Sequence, residues 1–383
     1  MKIVENILYL LFIFLVFLKY FAISKVDIQN YCSYGIVIIS FFFFIFHFKL
    51  LTKKTVFPFF LYLISLFLSA TYLFDYLTFS NFLNSLLFPL LFTSSYIYFY
   101  RQPEKMNLMK YIGLIGVILA YLNLIRLSTE VNLRAAHAIQ SNAGNALVAL
   151  LPFVILWKNK LIKYVLFILV FLGCLIALKR SGFIIFTAVI FIYFLFRNKS
   201  NFLYRSTKYI AIVALIGFII LPHIEKAQPM LERLSHSIED GGSGRDSLIK
   251  LGISLQSECN FTEWILGNGY TGFRQVSLLK NRNYSSAHND FIEILFNAGI
   301  IAYICYIYIW ALLFRKIKDL YISNSIYLTT FTSCVVVFIC ANIFVCTFIH
   351  FWYYLPLYCL LGGICAVTDT EKYGKDCIIS DVY

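Results

Sequence analysis

Long apolar segments recur along the whole chain, and most of them are separated by short polar connections. A helix that crosses a bilayer needs about 20 mainly apolar residues, because each residue rises 1.5 Å and the hydrocarbon layer is about 30 Å thick. On this criterion the pattern predicts about twelve membrane-spanning helices, with eleven as the alternative count. The predicted spans cover residues 3–23, 33–51, 56–74, 82–100, 108–126, 142–157, 161–178, 182–197, 208–223, 291–314, 324–348 and 350–367.

Composition favours the same class of protein. The chain has 383 residues, of which 61% are hydrophobic and 13% are charged, whereas about a quarter of the residues of a soluble domain are charged. It contains 40 Phe and 28 Tyr, more than one soluble core would bury. Lipid is the solvent that accommodates such a surface. We therefore predict an all-α polytopic membrane protein, with residues 1–383 forming a single integral membrane domain.

One segment interrupts the apolar pattern. Residues 224–289 lie between the ninth and tenth predicted spans and are predicted to form a loop subdomain. Within this loop, residues 243–246 read Ser-Gly-Arg-Asp, which has the spacing of a capping box and precedes an apolar helical pattern. Arg245 is therefore predicted to lie in the first turn of a helix. The string GNGYTGF at residues 267–273 predicts a glycine-rich turn.

The basic residues indicate how the chain is oriented. With the N-terminus in the cytoplasm, 19 Lys and Arg residues fall on the cytoplasmic side and six in the short outer loops. Basic residues concentrate on the cytoplasmic side of membrane proteins, so both termini are predicted to be cytoplasmic and the 224–289 loop to be periplasmic. The net charge of +13 comes mostly from residues dispersed at span ends, which does not indicate nucleic-acid binding.

Three arginines stand on the predicted outer face. Arg180 lies at a tight turn between the seventh and eighth spans, Arg134 precedes the sixth span, and Arg245 lies in the loop. A cation at the mouth of a span is costly unless it faces water or an anion, and guanidinium groups bind phosphate oxygens well. These arginines are candidates for phosphate binding. The alternative is a snorkelling side chain for Arg180 and a surface charge for the other two.

The outer mouth of the tenth span carries a second group of polar residues. His288 lies directly before the span, and Glu293 and Asn297 lie four residues apart on one face of it. A polar stripe in a membrane helix is expected to face protein or water. A histidine with a pKa near 6.5 is able to accept a proton at neutral pH. The alternative is an interfacial histidine without a chemical role.

These elements, in this order, resemble the O-antigen polymerase and O-antigen ligase superfamily of bacterial envelope glycosyltransferases. The matching strings are NAGNALVALLPF, LKRSG, SGRDSLI and AHNDFIEILFNAGI, and the resemblance covers residues 130–315. It implies a fold similar to C-type glycosyltransferases in the bacterial inner membrane. It also implies an undecaprenyl-diphosphate-linked glycan as donor, without a metal ion or other cofactor. The implied partners are membrane lipids and the chain-length regulator and flippase of the same pathway, with no nucleic acid.

The resemblance also implies roles for individual residues. His288 becomes the candidate general base for the acceptor hydroxyl, and Arg180 a catalytic residue at the donor pyrophosphate, with Arg134 and Arg245 binding the same group. The further candidates for substrate binding are Arg282, Asn289 and Glu293. Arginines suit a pyrophosphate leaving group, because they remain charged and bind oxygens in pairs.

Three activities are weighed for this chain. A polymerase transfers the growing glycan to the next lipid-linked repeat unit, whereas a ligase transfers it to the lipid A core. The H-N-D-F-I-E string and the short chain favour the polymerase. A flippase or other transporter also has about twelve spans, but transporters commonly consist of two similar halves. No internal repeat of that kind is visible in the sequence.

The basic count predicts the result of a topology experiment. Reporter fusions after Lys160 are expected to report cytoplasm, and fusions after Asn260 are expected to report periplasm. The measurement is the activity of paired reporters that work on opposite sides of the membrane. If both fusions report the same side, the span assignment and the shared outer face of the candidate residues are wrong.

Overall fold

A computed structural model describes residues 2–21, 26–72, 76–129, 144–177, 180–197, 245–279, 287, 289–344 and 351–380. All regular secondary structure in these ranges is helical, which agrees with the predicted all-α class. The ninth predicted span, residues 208–223, lies outside the described residues, as do residues 224–244 of the loop.

The chain divides into two compact units. The first consists of Met1–Leu108, Ser247–Ser325 and Val345–Tyr383, and the second of Met109–Asp246 and Ile326–Phe344. The helices of the first unit are Lys2–Phe21, Val26–Phe46, Phe48–Leu51, Phe57–Leu68, Tyr76–Arg101, Arg245–Ser257 (except its first two residues), Phe261–Leu266, Gly272–Leu279, Asp290–Ile322 and Leu355–Ser380. Those of the second are Leu108–Thr129 (except its first residue), Gly144–Ile155, Lys160–Ala177, Arg180–Arg197 and Leu328–Phe344.

Within the described ranges, four helices are long and apolar enough to cross a membrane. They are Asp27–Phe46, Phe79–Arg101, Pro103–Arg126 and Asp290–Ile322. Shorter apolar helices coincide with several other predicted spans, at Phe57–Leu68, Gly144–Ile155, Ser181–Phe196 and Leu328–Ile343. The structure is therefore that of a helical membrane protein with four candidate spans, and the count of about twelve stays a prediction.

Two long helices form the centre of the first unit. Tyr76–Arg101 packs along Leu355–Ser380, and Gly362 allows the two backbones to meet. A Cβ atom on Gly362 would lie 2.2 Å from the carbonyl oxygen of Phe92, so no larger residue fits at this position without moving the helices. The ring of Phe92, in the helix Tyr76–Arg101, stacks on that of Phe59 with their centroids 3.6 Å apart.

The first unit buries an unusual cation. Lys19 is 1% exposed, and its Nζ donates to Gln29 O at 3.1 Å, Ser33 Oγ at 2.7 Å and Asn84 Oδ1 at 3.1 Å. An ammonium group has three N–H donors, so these three acceptors satisfy it completely. Lys19 thus joins three helices through neutral oxygen atoms.

The helix Asp290–Ile322 is broken at Gly299, where the sequence pattern predicted one uninterrupted span over 291–314. Gly299 has φ 79° and ψ 178°, a conformation that is essentially restricted to glycine. The predicted span lies within a helix that is long and apolar enough to cross a membrane, and the break in it was not predicted. Residues 290–298 form a short helix, and residues 300–322 form a long one. The combined helix also ends eight residues later than predicted, at Ile322.

The carbonyl groups released by this break find other donors. Phe296 O accepts from the backbone N of Asn268 at 2.9 Å, and Asn297 O accepts from that of Gly269 at 3.0 Å. Ala298 O accepts from Ser69 Oγ at 2.6 Å. Since unpaired carbonyls are costly away from water, the turn at residues 267–269 and Ser69 stabilise the break.

Substituting Gly299 is expected to destabilise the protein. In Gly299→Ala the new Cβ would lie 2.2 Å from Ile265 O, on a backbone that L-residues avoid, which costs at least about 1–3 kcal/mol. We expect a lower thermal unfolding midpoint of the detergent-purified protein. The matched control is Gly35→Ala, whose Cβ would meet only the end of the flexible Leu15 side chain. Equal midpoints for the two variants would contradict the role of the break.

Candidate functional site

The short helix after the predicted loop begins with a side-chain cap. Asn289 Oδ1 accepts from the backbone N of Phe291 at 3.0 Å and of Ile292 at 3.3 Å. Such a cap satisfies amide groups that have no partner within the helix. Asp290 and Glu293 lie in the first turn, where carboxylates favour the positive end of the helix dipole. The helix start predicted from the sequence is confirmed.

Glu293 holds the chain on both sides of position 288. The residue is completely buried. Its Oε1 accepts from the backbone N of Ala287, and its own backbone N donates to Asn289 O at 3.0 Å. Its Oε2 accepts from Asn297 Nδ2 at 2.5 Å. Both carboxylate oxygens therefore bind groups of the protein, and Ala287 and Asn289 are fixed by the same residue.

Asn297 connects this arrangement to the loop. While its Nδ2 donates to Glu293, its Oδ1 accepts from the backbone N of Phe273 at 3.0 Å, near the start of the helix Gly272–Leu279. The predicted common face of Glu293 and Asn297 is thus confirmed, and that face is turned toward protein. A continuous set of hydrogen bonds runs from Phe273 through Asn297 and Glu293 to Ala287.

An apolar cluster packs the loop helices on the short helix. It consists of Leu251, Leu255, Phe273, Ala287 and Phe296, with Cys259, Val276 and Ile292 at its edge. Gly252 allows close approach, because a Cβ atom there would lie 2.5 Å from Ile292 Cγ2. The part of the loop that the structure describes is therefore a folded layer, and it begins at Arg245 as predicted.

The glycine-rich turn at residues 267–273 is anchored to the rest of its unit. Gly267 and Gly269 both have φ 83°, which confirms the turn predicted from GNGYTGF. The hydroxyl of Tyr270, in this turn, donates to Leu66 O of the helix Phe57–Leu68 at 2.5 Å. Burial raises the pKa of Tyr270, so this hydroxyl stays protonated and remains a donor. Asn81 Nδ2 donates to Tyr270 O at 3.3 Å.

The candidate residues differ in how far the structure describes them. Asn289 and Glu293 are brought together in the first unit, as shown above. Arg245 and Arg180 are each the first residue of a helix, Arg245–Ser257 and Arg180–Arg197. The structure describes the backbone of these two residues but not their side chains. The remaining candidates, Arg134, Arg282 and His288, lie outside the described residues. The roles assigned to all seven stay predictions.

Sequence reasoning missed three parts of this arrangement. It did not identify the contact of Glu293 with the amide of Ala287, the contact of Asn297 with Phe273, or the break at Gly299. A glycine inside an apolar span is a recognisable signal for a break. The two long-range contacts leave no comparable local pattern.

Comparison with known proteins agrees with the sequence and the fold. Residues 164–307 match the family model described as O-antigen ligase. This match over part of the chain is consistent with the O-antigen polymerase and ligase superfamily. The resemblance predicted from the sequence is confirmed. A search of curated proteins found no match to the chain.

The superfamily match contains most of the candidate site. Arg180, Arg245, Arg282, His288, Asn289 and Glu293 lie within residues 164–307, and Arg134 lies before them. The matched family is one of glycosyltransferase-like enzymes, and the match supports an activity of the polymerase or ligase type in surface polysaccharide synthesis. It does not support the flippase alternative. Polymerase and ligase are not distinguished by this match.

Proposed function

We propose that the protein is a surface polysaccharide polymerase of the bacterial inner membrane. It transfers the growing glycan from undecaprenyl diphosphate to the next lipid-linked repeat unit at the periplasmic face. The observation that supports this proposal is the superfamily match over residues 164–307. Within the matched stretch, Glu293 fixes the chain on both sides of position 288, where the resemblance puts the general base.

In the proposed reaction, the acceptor hydroxyl attacks the anomeric carbon of the donor glycan. The new glycosidic bond forms as the bond to the pyrophosphate oxygen breaks, and the electron pair leaves with undecaprenyl diphosphate. His288 takes the proton of the hydroxyl, an effect worth roughly 10²–10⁴-fold in rate. Arg134, Arg180 and Arg245 stabilise the charge on the leaving group, and this is why no metal ion is required in the proposal.

We propose a positioning role for Glu293, in place of the substrate-binding role expected from the sequence. Its carboxylate is buried, and both oxygens accept hydrogen bonds from protein groups. Each oxygen is therefore already engaged by a group of the protein. What it contacts is the backbone at Ala287 and Asn289, the two neighbours of His288. Fixing the backbone of a catalytic residue lowers the entropic cost of reaching the reactive geometry.

The band pattern of lipopolysaccharide from a deletion strain tests the polymerase against the ligase. Loss of a polymerase leaves core carrying a single repeat unit, because ligation of the first unit continues without polymerisation. We therefore expect core plus one repeat, and full restoration by the plasmid-borne gene. Bare core, with polymer retained on the lipid carrier, would favour the ligase. Repeat units accumulating on the inner leaflet would contradict both enzymes.

Variants of the purified protein separate the proposed roles. With a lipid-linked donor, His288→Ala is expected to lower kcat by roughly 10²–10⁴-fold while donor binding is kept. Arg180→Lys keeps the charge but loses the planar fork that binds oxygens in pairs, so donor binding, transfer or both should fall. Near-normal turnover in His288→Ala, or normal activity in Arg180→Lys, would remove the residue concerned from the mechanism.

The same assay tests Glu293 by exchanging its hydrogen-bond partners. Glu293→Gln introduces an N–H donor that opposes either Asn297 Nδ2 or the Ala287 amide, at a local cost of about 1–3 kcal/mol. We expect kcat to fall. The second substitution, Asn297→Asp, supplies an acceptor for that donor and keeps an acceptor for the backbone amide of Phe273. The double variant should therefore recover kcat. A carboxylate that itself removes a proton would not be rescued in this way, and failure of rescue with a folded protein would contradict the positioning role.

A further inference from the structure

The first unit contains an open cavity of about 940 Å³ that none of the candidate site residues lines. Ligand pockets in proteins are commonly about 300–1,000 Å³ in volume. Its walls come from the connection after the helix Phe48–Leu51, from the C-terminal part of the broken helix, and from Leu355–Ser380 near Asp369. On the predicted topology these segments lie at the cytoplasmic side of the membrane.

The floor of the cavity is formed by a salt bridge between Lys316 and Asp369. The carboxylate of Asp369 accepts from Lys316 Nζ at 2.5 Å, from Thr55 Oγ1 at 2.6 Å and from the Tyr96 hydroxyl at 2.8 Å. These four residues come from four separate elements of the unit. Because Lys316 and Asp369 neutralise each other, the floor contributes polarity without net charge.

The other charged residues, at the rim of the cavity, have both signs. Lys53, Lys54 and Arg315 are cationic, and Asp319 and Glu371 are anionic. All of these except Lys53 are exposed. An anionic ligand without a cationic group would meet the two carboxylates, and a purely cationic ligand would meet three cations. A ligand that carries a phosphate and an ammonium group complements both sets of charges.

An apolar wall continues from this rim. Phe57, Tyr308 and Ile322 are 41%, 53% and 66% exposed, and all three line the cavity. Tyr308 lies within a candidate span, whereas Ser323 and Ser325 lie just beyond its end. Aromatic and charged residues meet in this way at the level of lipid headgroups. The apolar wall therefore favours a lipid over a water-soluble zwitterion.

We propose that this cavity binds the headgroup of a zwitterionic phospholipid with a primary ammonium. The phosphate lies against Lys53, Lys54 and Arg315, and the ammonium lies against Asp319 and Glu371. The glycerol and the upper acyl chain lie along the apolar wall. A primary ammonium donates hydrogen bonds to carboxylates, whereas a trimethylammonium group does not, so the site distinguishes phosphatidylethanolamine from phosphatidylcholine.

Lipid retention by the full-length protein in detergent tests this proposal. The probes are dioleoyl phosphatidylethanolamine, phosphatidylglycerol and phosphatidylcholine, and the readouts are bound lipid by native mass spectrometry and the thermal unfolding midpoint. We expect phosphatidylethanolamine to be retained roughly tenfold more tightly than the other two lipids, because the loss of one charge-assisted hydrogen bond weakens binding by about this factor. Arg315→Ala should weaken its retention by about the same factor. Asp319→Asn should remove the preference over phosphatidylglycerol.

The control is Lys318→Ala, an exposed lysine near Arg315 that does not line the cavity. It should bind lipid like the unmodified protein, and Lys54→Ala serves as a second test of the phosphate contact should Arg315→Ala fail to fold. Equal retention of all three lipids, or equal effects of the Arg315 and Lys318 variants, would overturn the proposal. So would complete displacement by soluble glycerophosphoethanolamine, because the apolar wall would then contribute nothing to binding.

Discussion

The constraint that governs the first unit is that every backbone carbonyl inside a membrane needs a donor within the protein. A helix meets this requirement by itself until its backbone leaves the helical conformation, as it does at Gly299. Donors for the released carbonyls come from the turn at residues 267–269 and from Ser69. The break, the turn and this serine therefore depend on one another. The folded part of the loop supplies hydrogen-bond donors to the broken helix, and it also packs against the short helix of the candidate site.

The break also gives the short helix its own chemistry. A helix of residues 290–298 is too short to cross the bilayer, so its polar residues need not face lipid. Glu293 and Asn297 are completely buried and face protein donors and acceptors. Placing a carboxylate in this position is costly unless its oxygens are hydrogen-bonded. Because both oxygens are engaged, the cost is offset, and the same carboxylate binds the backbone amide of Ala287.

Much of this fold follows from local patterns in the sequence. Apolar runs predicted the helices, including the span from residue 291 that begins one residue earlier in the structure, and GNGYTGF predicted the turn. Contacts such as Asn297 with Phe273 or Ser69 with Ala298 join residues far apart in the chain. No periodicity encodes these contacts, because they depend on how separate helices pack. The break at Gly299 was missed for a related reason, since a glycine within an apolar run is also compatible with a straight span.

Polar groups decide which helices become neighbours in this unit. Apolar packing alone discriminates weakly between partners in a membrane, because lipid tails are as apolar as the side chains. The ammonium of Lys19 has three acceptors on two other helices, and the carboxylate of Asp369 has three donors on three other elements. A wrong neighbour would leave such a group without its partners, which costs more than a lost apolar contact. Polar groups satisfied in this way specify the arrangement of the helices, and the broken helix belongs to the same arrangement through Lys316 at one end and Glu293 at the other.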